Sequence, residues 1–119
     1  MITDNFLNQL AGVMNGESMG VPSHIGFSST ALVLNPVDST LSGEYLTRVA
    51  STGSRVLNKT TFNALRSGAV ASSTGNIINA IGLFDASTSG DLYSEALVPS
   101  LLHTTSFDFE IDWSITVKR

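Results

Sequence analysis

From Phe107 to Lys118 apolar and polar residues alternate without a break. Phe107, Phe109, Ile111, Trp113, Ile115 and Val117 are interleaved with Asp108, Glu110, Asp112, Ser114, Thr116 and Lys118. A period of two is the signature of a strand with one face on a core and one in water. At roughly 3.3 Å per residue this strand would run about 40 Å. Asn76–Phe84 is almost wholly apolar, with Ile77, Ile78, Ala80, Ile81, Leu83 and Phe84, which predicts a strand that is central or covered on both faces. Ser23–Ser28 alternates more briefly, and Tyr45–Ala50 and Arg55–Leu65 read as further strands. Leu92–Val98 follows the Asp85–Gly90 turn as a hairpin partner, and Pro99 is expected to stop it.

Residues 4–14 show the other period. Phe6, Leu7, Leu10, Ala11, Val13 and Met14 fall on one helical stripe, with Thr3 or Asp4 able to cap the start and Gly16 the end. Eleven residues are too few for a helix that stands alone in water, so this one must dock. Between the elements, residues 29–43 read as a connection broken by Pro36 and Gly43, Ser51–Ser54 as a turn around Gly53, and Arg66–Gly75 as a mobile loop. The pattern predicts a mainly β protein: an antiparallel β-sandwich, or a flattened barrel, of six or seven strands over residues 21–118, with one short N-terminal helix at 4–14. The expected core is Ile77, Ile81, Phe84, Phe107, Phe109, Ile111, Trp113 and Ile115.

Composition sharpens the picture. The 119 residues predict a single domain, 1–119. Only 13% are Asp, Glu, Lys or Arg, about half the usual share, while mean hydropathy is +0.21. Such a chain has apolar surface to hide, and other subunits are the usual cover, so a homo-oligomer is predicted. A net charge of −4 speaks against a nucleic-acid partner. No Cys is present, so disulfides and thiol chemistry are excluded. No apolar run has the length to span a membrane, and the first residues lack a basic signal-peptide region.

Candidate chemistry is sparse. Gly16-Glu17-Ser18-Met19-Gly20 matches the nucleophile elbow, and Asp85 or Asp91 and then His103 follow in triad order. The elbow needs a strand before its Ser and a helix after it; here a helix precedes and a strand follows. Asp85–Asp91 resembles the start of a calcium loop, but the position that demands a bidentate Glu is Ala96. His24 and His103 are read as surface or loop residues, so no metal, no cofactor and no catalytic residue is expected. Asp108, Glu110 and Asp112 share one strand face at steps of about 6.5–7 Å, as a solvated edge or as a surface for basic groups on a neighbouring subunit. With Phe6, Leu7, Leu10 and Met14 of the helix, they form the expected interface set.

Several segments together resemble a family of small tailed-bacteriophage virion proteins. They are the helix Asn5–Met14, Pro22-Ser23-His24-Ile25-Gly26-Phe27, Thr40-Leu41-Ser42-Gly43-Glu44, Ile77–Ala86 with its Ser/Thr/Gly turn, and Ile111-Asp112-Trp113-Ser114-Ile115-Thr116-Val117. The Ile-Gly-Leu-Phe-Asp segment also looks like an element of tail-collar and tail-fibre attachment modules. This chain departs from the family pattern at Ser28-Ser29-Thr30, where a Gly-Thr-Gly-like turn is usual, and at Glu95, where a basic residue is frequent. The resemblance implies a non-enzymatic virion component assembled in the host cytoplasm, with other virion proteins as partners. A tail, baseplate or fibre-attachment position is favoured over capsid decoration. A carbohydrate- or receptor-binding module is the alternative, with Tyr45 or Tyr93 as the stacking platform.

Overall fold

The computed structural model describes residues 1–71 and 75–118. Helix α1 spans Asp4–Met14 and seven strands follow: β1 His24–Ser28, β2 Glu44–Ala50, β3 Thr52–Val56, β4 Lys59–Arg66, β5 Asn76–Phe84, β6 Leu92–His103 and β7 Phe109–Thr116. They form two antiparallel sheets, a four-stranded one in the order β2-β1-β5-β6 and a three-stranded one in the order β3-β4-β7. Ile25, Phe27, Ile78, Ile81 and Leu83 of the first sheet pack on Phe62, Ala64 and Ile111 of the second, with Phe109, Trp113 and Ile115 around them. The architecture is the β-sandwich that the periodicity predicts. Its long axis is 49 Å, and its 6945 Å² of surface exceeds the roughly 6,200 Å² of a compact monomer of this mass.

Around the end of β5 and the start of β6 the four-stranded sheet is covered on both faces, whereas Ile77, Leu97 and Leu102 are half-exposed. Strand β5 lies between β1 and β6, and Ala80–Phe84 are all buried. Phe84 and Leu92 point away from the inter-sheet core and meet Leu41 of the 29–43 connection. Residues 1–3 run beside the start of β6: Thr3 N donates to Tyr93 O at 3.0 Å, and Glu95 N donates to Met1 O at 2.9 Å. Helix α1 then lies against β6, its Phe6 ring 5.1 Å from that of Tyr93.

The fully buried Thr3 joins these parts. Its hydroxyl donates to Leu92 O at 2.8 Å and accepts from Phe6 N at 3.3 Å, so one oxygen caps the helix and ties it to the sheet. Thr3→Val keeps the shape and removes both bonds. In urea denaturation it should lose about 2 kcal/mol, and Thr3→Ser should lose less than about 1 kcal/mol.

Four expectations about local structure are corrected. The Arg55–Leu65 alternation is divided into β3 and β4 by a two-residue turn at Leu57 and Asn58, with Leu57 at a φ of 54°. Leu announces no such turn, because a side chain at positive φ is strained there. Gly53 belongs to β3 rather than to a turn. It stands opposite Phe62, whose ring passes 3.3 Å from the position a Cβ would take. Pro99 does not end β6, which continues to His103. The register runs from Ala80↔Leu97 to Ile78↔Leu101, so an irregularity on this edge strand takes up the proline. Finally, β4 extends through Arg66 and a 3-10 turn occupies Gly68–Val70; residues 72–74 of the expected loop lie outside the described residues.

Two expected core residues are also displaced. Ile78, not Ile77, faces the other sheet, and Ile77 stands outward opposite Leu102 with half its surface exposed. Phe107 precedes β7 and lies across the His103 ring at 5.6 Å instead of between the sheets.

Candidate functional site

The residues in triad order are not brought together. Ser18 is exposed in the connection after α1, whereas Asp85 and Asp91 flank the turn before β6. His103 lies at the other end of β6, eleven residues and about 35 Å from Leu92. The expectation of a surface or loop histidine fails there: His103 is fully buried beside Phe107 and Phe109, and neither ring nitrogen has a hydrogen-bond partner. His24 lies on β1, with Nδ1 2.8 Å from Ser23 Oγ.

The Asp85–Asp91 turn directs its oxygens to the protein itself. Asp85 Oδ1 accepts from Asp91 N at 2.7 Å, and Asp91 Oδ2 accepts from Gln9 Nε2 at 2.6 Å. The carbonyls of Ala86 and Ser89 both receive Arg48 Nη1, at 2.9 and 2.6 Å. Among the described residues no three His, Cys, Asp or Glu side chains group as metal ligands. Beneath the turn the Tyr93 hydroxyl lies 2.8 Å from Gly20 O and 3.0 Å from Gln9 Oε1. Burial, then the charges of Asp85 and Asp91, push this phenol up to about 12. Tyr93 is wholly buried and offers no stacking platform to a glycan; Tyr45 is half-exposed, with its hydroxyl donating to Ile77 O.

Three buried charged groups went unnoticed in the sequence, Arg48, Glu95 and Arg66, the last 4% exposed with Nη1 donating to Thr47 O at 3.2 Å. The Arg48 guanidinium lies 3.4 Å above the Phe84 ring and reaches both Glu44 carboxylate oxygens, at 2.7 and 2.9 Å. It thereby joins β2, β5 and the 85–91 turn. Gly26 on β1 leaves the space, since a Cβ there would meet the Glu44 carboxylate and the Phe84 ring. The second is Glu95, opposite Gly82 in the β5–β6 ladder and 1% exposed, with neither carboxyl oxygen in a hydrogen bond of ordinary geometry. Burial, reinforced by the neighbouring Asp38 carboxyl, pushes Glu95 up to about 7, against the pull of the Asn35 backbone and the N-terminal amine. Alternation alone placed Glu95 on a strand; that the 29–43 connection closes over it depends on the fold.

The helical stripe divides in two. Phe6 belongs to the protein's own interior, whereas Leu7, Leu10 and Met14 are exposed at 55%, 39% and 91%. Phe6 and Leu10 form one wall of an apolar groove of about 280 Å³, with Met19, Val21 and Pro22 along one side and Phe62, Ile115 and Val117 along the other. Val21 and Val117 are largely exposed, so the apolar strip continues across the groove. The expected acidic row is exposed as well. Asn63 Nδ2 donates to Glu110 Oε1 at 2.8 Å and to Asp112 Oδ1 at 2.7 Å, while Asp108 Oδ1 accepts from Gly68 N at 2.8 Å. Neither a protein-family model nor a curated protein sequence matches the chain.

Proposed function

We propose that this chain is a non-enzymatic structural component that works by protein–protein contact within a tailed-phage virion. The observation that carries the contact reading is the exposed apolar strip of Leu7, Leu10 and Met14, which runs into the groove beside Val21 and Val117. Apolar surface gathered in this way on a small protein is characteristic of an interaction site. The placement in a virion rests on the segments that resemble phage structural proteins, with a tail, baseplate or fibre-attachment position favoured over capsid decoration.

The test uses the full chain carrying Leu10→Ser and Met14→Ser. Both side chains are solvent-exposed, so the fold should survive with a stability change of about 1 kcal/mol or less. Removal of residues 1–16 would be a poor substitute, because Thr3 and Phe6 hold the sandwich together. The double variant should bind purified particles that lack the protein at least about tenfold more weakly than the wild type. Unchanged binding would exclude the strip as the contact. Antibody labelling that finds the protein on no part of the particle would exclude the virion.

A further inference from the structure

Among the described residues nothing covers the outer face of the three-stranded sheet, whereas that of its partner sheet is covered around Phe84, Leu92 and Glu95 and open at Ile77, Leu97 and Leu102. Cross-strand partners share a face. Lys59↔Thr116, Thr61↔Ser114, Asn63↔Asp112 and Leu65↔Glu110 therefore run in order along this face. Its charges are sorted by sign. Lys59 stands at the hairpin end, and Lys118 joins it there, because Val117 N still pairs with Asn58 O and carries the alternation past the end of β7. Asp112 and Glu110 stand toward the other end, about 13 and 20 Å from the level of Lys59 along the strand. Among the described residues none of these four groups has an intramolecular ion-pair partner; the pair formed is Glu44–Arg48.

We propose that this face is the seat of a second copy of the chain, related by a two-fold axis, so that the Lys59/Lys118 end of each copy meets the Glu110/Asp112 end of the other. Turning one face by a half-turn over its twin exchanges the two ends, so the basic end of each copy lies over the acidic end of the other. A parallel, unrotated stacking would set lysine on lysine and carboxylate on carboxylate. Two-fold contact closes at two copies and needs no further surface. The centre of the face allows close approach. Its side chains are short, and the hydroxyls of Thr61 and Ser114 are already paired at 2.9 Å, so two sheets can stack near the usual 10 Å. Asn63 holds both carboxylates in place before any partner arrives, which lowers the entropic cost of pairing. Val56, opposite Lys59, and Leu65, opposite Glu110, are 73% and 54% exposed and would be buried at the two ends of the contact.

This inference rests on the assembly reading only in requiring association; the apolar strip on α1 and the virion play no part in it. Sedimentation velocity on the full chain provides the test. The wild type should dimerise in about 0.02 M salt and dissociate at least about tenfold more readily in about 0.5 M salt. Lys59→Glu/Lys118→Glu makes both ends acidic, and Glu110→Lys/Asp112→Lys makes both ends basic. Each variant alone should self-associate at least about 100-fold more weakly, and an equimolar mixture of the two should recover a dimer. All four positions are exposed, and far-UV circular dichroism checks the fold of each variant; should either double variant unfold, Lys118→Glu and Asp112→Lys singly replace them. A wild type that stays monomeric near 1 mM, about the upper limit of specific weak contacts, overturns the proposal. So does a dimer indifferent to the charge reversals, or a mixture that stays monomeric. Leu10→Ser/Met14→Ser should leave this dimer intact, so failure of the groove contact and failure of the two-fold contact are told apart.

Discussion

Glu95→Gln should hold its stability between pH 5 and pH 8, while the wild type loses about 2–3 kcal/mol over the same interval. Glu95 is buried and, at about 7, its carboxyl releases its proton far later than an unfolded glutamate at 4.5. Between those two values the folded chain carries a proton that the unfolded chain has lost. Stability supplied by a proton bound more tightly in the folded state is fully present below pH 4.5 and disappears as the pH rises through 7. Gln has the shape without the titration. The two proteins should therefore differ little at pH 5 and by about 2–3 kcal/mol at pH 8, with Gln the more stable, in urea midpoints measured at each pH. A wild type whose midpoint is flat across that range would show that Glu95 is ionised in the folded protein throughout. The region that yields first at high pH should be the 29–43 connection, which carries Asp38, together with the Met1 segment bonded to the Glu95 backbone. Hydrogen exchange at Glu95 N and Asp4 N, which bond to Met1 O and Pro36 O, would report that opening.

Arg48→Met should destabilise the fold by about 3–5 kcal/mol, the range expected when one partner of a buried pair is removed. The Arg48 side chain is 8% exposed, and its loss leaves Glu44, itself three-quarters covered, without its cation. It also strips two carbonyls of the 85–91 turn of their donor and uncovers the Phe84 ring. Arg48→Lys should recover only part of this, since an ammonium cannot meet Glu44 with two parallel bonds while lying flat on the ring. Adding Glu44→Gln to Arg48→Met should return about 1–2 kcal/mol, because the stranded negative charge is then gone. The urea midpoints of the wild type, Arg48→Met, Glu44→Gln and the double variant form a double-mutant cycle. A coupling near zero would mean that the guanidinium acts through the ring and the turn carbonyls alone.

Local periodicity was a good guide wherever a residue's direction follows from its own strand or helix. The bounds of α1 and β5, the alternation of β7 and the division into two antiparallel sheets agree with it. It failed where a local signal was outweighed by a distant neighbour. Pro99 is tolerated because β6 is an edge strand whose register slips opposite Asn79. Gly53 pairs in a strand because the Phe62 ring needs the room. Leu57 makes a turn that its side chain disfavours, since β3 and β4 are held in register on either side of it. The candidate site was legible in part. The exposed helical stripe and the acidic row are where alternation places them, but which member of the stripe turns inward is settled by Tyr93, reached 87 residues along the chain from Phe6.

The burial of Arg48, Arg66, Glu95 and His103 had no counterpart in the pattern, as a charged or polar residue on a strand predicts an outward side chain. Hydrophobic period and turn residues act over a few neighbours, so they were enough to define the pleated elements, the single helix and the two-layer architecture. Covering is a property of surfaces that meet only after folding. The closing of residues 1–3 and 29–43 over one sheet turned Glu95 into a buried acid and Phe6 into an internal anchor. Among the described residues nothing closes over the other sheet in this way, and Lys59, Lys118, Glu110 and Asp112 stand exposed there.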